Sequence, residues 1–138
     1  LKEKQDWIYT HREKALAAAE QKAANRLTEA ERKAAVKRAA QMLAEKTAHF
    51  AKEMGVTYGR ITIREQKTRW GSCSSAGNLN YNWKLVLMPG RVMDYVVIHE
   101  LAHRKEMNHS ARFYAVVAQQ MPDYKVWQSW LKEHGREY

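Results

Sequence analysis

The sequence predicts an α+β fold, and three observations predict it. Residues 2–54 are rich in Ala, Lys, Glu, Gln and Arg and contain no Pro or Gly, a composition that favours helix. Residues 57–82 alternate in polarity and hold a Ser-Ser-Ala-Gly turn, the pattern of short strands. From about Arg91 onward the apolar residues return to spacings of three and four, so the chain closes with helices.

Each element has its own signal. Thr28-Glu29-Ala30-Glu31 matches a capping box and starts a second helix after a break near Asn25. Val36, Ala40, Leu43, Thr47, Phe50 and Met54 give that helix one moderately apolar stripe, and Gly55 suits its C-cap. Thr57 to Glu65, with Ile61 and Ile63, reads as a strand. Residues 69–73 and 78–82 flank Ser74-Ser75-Ala76-Gly77 as the two arms of a hairpin. A third short apolar run, Leu85-Val86-Leu87-Met88, leads to Pro89-Gly90. The next helix is expected from about Arg91 to Glu106. Its apolar cover of Val92, Tyr95, Val96, Ile98, Leu101 and Ala102 is broad enough for a helix buried under a sheet. Asn108 tolerates the left-handed conformation that would end it. Ser110 can cap a helix at about Ala111–Gln120, and a last helix at about Lys125–His134 carries Trp127, Trp130 and Leu131.

The bulk properties narrow the classes. The 138 residues carry a net charge of +9, concentrated in the first half: residues 1–69 hold 16 basic and 9 acidic side chains, residues 70–138 hold 8 and 6. A basic helical surface, through residues such as Lys33, Lys37 and Arg38, can attract nucleic acid weakly, although interspersed Glu residues dilute its field. Cys73 is the one cysteine, which excludes an intrachain disulfide and points to a reducing, cytoplasmic setting. No apolar run reaches membrane-spanning length and no signal-peptide pattern opens the chain, so no membrane partner is expected. The first residue is Leu1 and not Met, which suits a fragment or a processed form.

The most informative stretch is His99-Glu100-Leu101-Ala102-His103, followed by His109. On a helix His99 and His103 stand one turn apart on one face, where two imidazoles can share a zinc ion. Shuffling the chain's own residues would give this three-histidine pattern about once in a thousand. Catalytic zinc usually takes three protein ligands and keeps one position open, so His99, His103 and His109 with one Zn2+ per chain form the expected set. Glu100 follows the first ligand and is placed to act as general base on a metal-bound water. Glu106 is a rival third ligand if the helix continues; His109 is preferred because a neutral ligand leaves the ion more Lewis-acidic. Tyr124, Arg112 and His134 are the candidates for stabilising an oxyanion. Cys73 reads as a small buried strand residue.

Several spaced motifs then carry a family resemblance. Lys67-x-Arg69-Trp70-Gly71-Ser72-Cys73, Asn80-x-Asn82-Trp83, His99-Glu100-Leu101-Ala102-His103, Asn108-His109-Ser110-x-x-Phe113 and Pro122-Asp123-Tyr124 occur in order. The segment from Lys67 to Trp130 resembles the YgjP-like metallopeptidase domain family, allied to the SprT-like and WLM zinc proteases. The resemblance implies a zincin-like fold: N-terminal helices, a small antiparallel sheet over an active-site helix, and C-terminal helices. The chain's own pattern predicts an N-terminal helical segment at 1–55 packed on a catalytic domain at 56–138. The resemblance implies zinc on His99, His103 and His109, and a cleft strand able to pair with an extended protein or peptide substrate. Members usually carry a β-rich segment upstream, ending in a pair like Trp7-Ile8. The function expected is a zinc-dependent metallopeptidase. The rival is a nucleic-acid-associated binding module with a structural or vestigial metal, against which stands the usual four-ligand, often Cys-rich, closure of structural zinc.

Overall fold

The computed structural model describes residues 27–66 and 69–138. The helix expected before Asn25, with Trp7, Ile8 and His11, lies outside the described residues. Among those described, helix α1 spans Glu29–Met54, strands β1, β2 and β3 span Ile61–Arg64, Gly71–Cys73 and Leu79–Asn82, and α2, α3 and α4 span Gly90–Ala102, Ala111–Gln120 and Tyr124–His134. Short 3-10 helices occupy Trp83–Leu87 and Gly135–Glu137. No described helix is long and apolar enough to cross a membrane.

Local chemistry sets the boundaries of α1. Thr28 accepts from the Glu31 backbone N–H while the Glu31 carboxylate accepts from the Thr28 N–H, satisfying two donors that the first turn cannot. Gly55 ends the helix at φ 70°, a left-handed conformation that a side chain would strain. The buried stripe is Ala35, Ala39, Leu43, Thr47, Ala51 and Met54. It is rotated from the expected one: Val36, Ala40 and Phe50 are only half-buried. Three alanines let α1 lie close against its neighbours, and that close approach outweighs the larger side chains one position away. Thr47 is buried with its hydroxyl 3.0 Å from that of Tyr81 on β3, so neither polar group is orphaned.

The three-stranded sheet has the order β1-β3-β2. β2 and β3 form the expected antiparallel hairpin, with Gly71 opposite Tyr81 and Cys73 opposite Leu79. Its turn is closed by the Ser74 N–H to Asn78 carbonyl bond of 2.9 Å and by Gly77 at φ 89°. The sheet is mixed, however, and not wholly antiparallel: β1 runs parallel to β3, with Ile61 opposite Leu79 and Arg64 opposite Asn82. A tight turn dictates the direction of the strand that it joins and of no other, so β1 follows where α1 delivers the chain, on the far side of β3. Buried Asn82 donates from Nδ2 to the carbonyls of Gln66 (2.8 Å) and Arg69 (3.3 Å), holding the passage from β1 to β2 across the sheet end. The apolar run at 85–88 enters the 3-10 helix and its cap instead of a strand, the Asn82 side chain accepting from the Lys84 N–H.

α2 lies at the centre. Val92 through Ile98, Leu101 and Ala102 are all buried, with the sheet, α1, α3 and α4 around them. The cores of α1 and α2 are one continuous cluster. Lys46 of α1 pairs at 2.5 Å with Asp94 of α2, and Arg91 links Asp94 to Asp123 at the start of α4. The most buried of the described helices is therefore also fixed in rotation, which matters because this helix carries the histidine pair.

Candidate functional site

The last turn of α2 and the reversal after it bring three imidazoles together. α2 ends at Ala102, earlier than expected, with His103 as its C-cap. The turns at 103–106 are closed by the Arg104 N–H on Leu101 and the Lys105 and Glu106 N–H groups on Ala102. The reversal uses no left-handed residue at Asn108: no non-glycine described residue has positive φ. Tightened turns reverse the chain without one. Ser110 then caps α3, accepting from the Phe113 N–H at 3.3 Å. That cap fixes where Phe113 falls, and the buried Phe113 ring lies against all three imidazoles, with centroids 4.8, 4.5 and 4.9 Å from His99, His103 and His109. Phe113 is the floor of the site, a role legible only as a residue in the spaced motif.

The ligand-capable nitrogens of His99, His103 and His109 lie within 4.8 Å of one another. His103 Nδ1 is 3.2 Å from the Glu106 carbonyl oxygen. A carbonyl only accepts, so the proton sits on Nδ1 and the Nε2 lone pair is bare. His103 Nε2 and His109 Nε2 stand 3.1 Å apart. Two nitrogens about 2.0–2.1 Å from one tetrahedral zinc would be separated by roughly 3.3 Å, so the pair fits such an ion. Burial, then the neighbouring His103 and His109, push the pKa of His99 down to about 4, and burial lowers that of His103. Both rings are neutral at physiological pH, as metal ligands must be. Glu106 does not join them: it lies beyond the helix and contributes its carbonyl, not its carboxylate.

Glu100 is buried one position along α2, facing β2. Burial raises its pKa to about 8, and the Arg69 cation works against that rise. A Cβ built on Gly71 would sit 3.1 Å from the Glu100 Cγ and Oε2 and from Val96 Cγ1. Only the bare glycine backbone lets the strand pass this close to the carboxyl group. A buried acid beside a cluster of imidazoles, two of them held neutral by burial, is the chemistry of a cation site.

These groups open into a cleft of about 490 Å³, lined by His99, Glu100, His103 and His109 below, by residues 69–73 along the strand, and by Tyr95, Val96, Met107 and Leu131. β2 is an outer strand of the sheet, so one of its backbone edges is not paired with β3. Cys73 is half-buried on that strand; its thiol pKa is raised by burial and by Glu100, with Arg104 opposing. None of Tyr124, Arg112 and His134 lines the cleft. Tyr124 is buried and stacked on Tyr114 at 5.8 Å, Arg112 is exposed on α3, and His134 is buried against Trp130. The polar cleft residues that sequence reasoning passed over are Arg69, Ser72 and Tyr95. Tyr95 could have been found, since it stands one helical turn before His99 on the same face.

The family model of the YgjP-like metallopeptidase domain matches residues 1–134. No curated protein matches the chain. Among solved structures, the crystal structure of the metallopeptidase zymogen of Pyrococcus abyssi abylysin is similar, with TM-score 0.61 and 23% identity, covering 68% of this chain and 96% of that one. The metallopeptidase zymogen of Methanocaldococcus jannaschii jannalysin is similar with TM-score 0.53 and 18% identity, covering 61% and 90%. At these identities the likeness speaks for the fold, which is zincin-like.

Proposed function

The chain belongs to the YgjP-like metallopeptidase domain family, and from that premise we propose that it hydrolyses peptide bonds as a zinc metallopeptidase through the cleft above α2. The observation that carries this reading is the convergence of three imidazoles beside a buried carboxyl group in an open cleft. His99, His103 and His109 would hold the ion through one nitrogen each. A zinc ion there would polarise the scissile carbonyl and make the attacking water more acidic.

The chain's own groups do the rest. Glu100 takes one proton from the water as its oxygen bonds to the carbonyl carbon, then delivers that proton to the departing nitrogen as the C–N bond breaks. The carboxyl and amino products balance the water consumed. The free edge of β2 offers backbone N–H and C=O groups to an extended substrate, the way strands are added to sheets generally. Trp70, Met107 and Leu131 give the cleft apolar surface for substrate side chains. Lys33, Lys37 and Arg38, all exposed on α1, support a weaker accessory role in binding polyanions such as nucleic acid.

The test begins with metal. One zinc per chain should bind, and His109→Ala should weaken binding markedly while Glu106→Ala should not. Retained zinc in His109→Ala with loss in Glu106→Ala would reverse the assignment of the third ligand. Cleavage of an unfolded protein by the zinc form, abolished by chelation and restored by zinc, is the expected activity. DNA affinity absent even at low salt would remove the accessory role.

A further inference from the structure

His99 and His103 are one turn apart, yet their second nitrogens are held by different chemistry. His103 Nδ1 faces a carbonyl, which can only accept. His99 Nδ1 lies 3.3 Å from the hydroxyl of Tyr95, which can donate or accept, so this contact alone leaves the tautomer of His99 open. The contact does show which nitrogen faces outward: Tyr95 engages Nδ1, which leaves Nε2 of His99 for an ion, as in His103. With an ion on Nε2 the ring's proton sits on Nδ1, and the Tyr95 oxygen accepts from it. Tyr95 is 5% exposed and its ring meets that of His99 edge-on at 5.7 Å, so the hydroxyl has no room to swing elsewhere.

We propose that Tyr95 is a positioning residue for the metal: its hydroxyl oxygen accepts from His99 Nδ1–H and so holds that ring with Nε2 turned to the ion. The proposal rests on the reading of the three histidines as a zinc site, and it assigns the one ligand whose outer nitrogen does not face a backbone carbonyl in the helix-end pair. Partners of this kind orient ligating imidazoles and raise their basicity, and their removal typically costs about 10–100-fold in metal affinity.

The experiment uses the full chain, stripped with a chelator and titrated with zinc against a chromophoric competitor. Tyr95→Phe keeps the ring and its packing and removes only the oxygen. We expect its zinc affinity to fall about tenfold or more, with the visible spectrum of the Co2+ form altered and the metal-free melting temperature near that of the wild type. Affinity within twofold of the wild type together with an unaltered cobalt spectrum would overturn the proposal. So would unchanged affinity with a lowered kcat, which would make Tyr95 a group that acts on substrate. If Tyr95→Phe fails to fold, nitrogen NMR of the wild-type zinc form decides instead, and metal held by His99 through Nδ1 overturns the proposal. A folded wild type that takes up no zinc sinks the site reading and this inference together; a wild type that binds zinc while Tyr95→Phe matches it sinks this inference alone.

Discussion

The two walls of the cleft are built by different means. The histidine wall is local: His99, Glu100, His103 and His109 fall within eleven residues, set by one helix end, one tight reversal and one Ser110 cap. The strand wall is assembled at long range. β2 is placed by pairing with β3, by the bare backbone of Gly71 against α2, by Asn82 on the preceding loop, and by Arg104 reaching the hairpin turn. Under the proposed function the first wall carries the chemistry and the second presents the substrate. Damage to each should therefore be separable, metal and proton transfer on one side and substrate affinity on the other.

The sharpest way to break this division is Glu100→Gln. The variant keeps size and position, so the fold and zinc affinity should persist while turnover falls about 10²–10⁴-fold, the usual worth of a general base. Zinc content and cleavage measured on the same preparation decide it. Equal turnover at equal zinc would remove Glu100 from the role given to it.

A second measurement uses the metal-free chain and asks what the histidine wall costs the fold. Glu100 has a folded pKa raised to about 8 from 4.5, so its contribution is fully present below about 4.5 and is lost as pH rises to about 8. His99 has a folded pKa lowered to about 4 from 6.5, so its contribution is present above 6.5 and is lost as pH falls to about 4. Between pH 4.5 and 6.5 the two slopes oppose; above 6.5 only that of Glu100 remains. Glu100→Gln should thus gain on the wild type by about 1–2 kcal/mol between pH 6.5 and 8, seen by denaturant unfolding in chelator. A wild type that keeps pace with the variant across that window would mean that the carboxyl is not held out of water. Function and stability would then not be in tension at this residue.

What was legible in the sequence follows the same line between local and long-range. The Thr28 and Ser110 caps, the Gly55 stop and the 74–78 hairpin turn were legible, because each is decided by residues within a few positions of itself. So was the gathering of the three histidines. The parallel direction of β1, the rotation of the α1 stripe onto Ala35, Ala39 and Ala51, and the folding of 85–88 into a 3-10 helix and its cap were not, since each depends on what packs against it. The position of the oxyanion candidates depends on packing in the same way: Tyr124 and His134 are buried, Arg112 is exposed on α3, and none of the three lines the cleft.

Gly71→Ala tests the strand wall at its closest approach. The added methyl group meets the Glu100 carboxyl and Val96 at 3.1 Å, so the strand or the acid must shift by a few tenths of an ångström. Overpacking of this kind costs about 1–3 kcal/mol. Cleavage efficiency should fall about tenfold with zinc affinity unchanged, since no ligand touches the new group. Loss of zinc in this variant would show that the walls are not separable.

The smallest expected effect comes from the clamp farthest from the chemistry. Arg104 follows His103 directly, but its side chain leaves the metal site and donates from Nε to the Thr57 carbonyl at 2.8 Å and from Nη1 to the Ser75 carbonyl at 3.2 Å. Its guanidinium lies against Gly77, where a Cβ would come within 2.7 Å of Cζ. One planar group thus fastens the hairpin turn and the start of the β1 segment to the end of α2. Arg104→Ala removes both bonds and leaves two carbonyls to water, a loss of about 1–2 kcal/mol. Because the turn anchors β2, the strand edge should become less ordered before a substrate arrives, and ordering it is then charged to binding. KM for an extended peptide should rise a few-fold while kcat and zinc affinity stay near wild type. Arg104→Lys keeps the charge but replaces the rigid fork with a single ammonium, so it should restore less than half of the loss. Full rescue by Lys would mean that charge, not the two-pronged bond, holds the hairpin. A fall in kcat with KM unchanged would place Arg104 in the chemistry of the histidine wall, and the separation of the two walls would have to be redrawn around it.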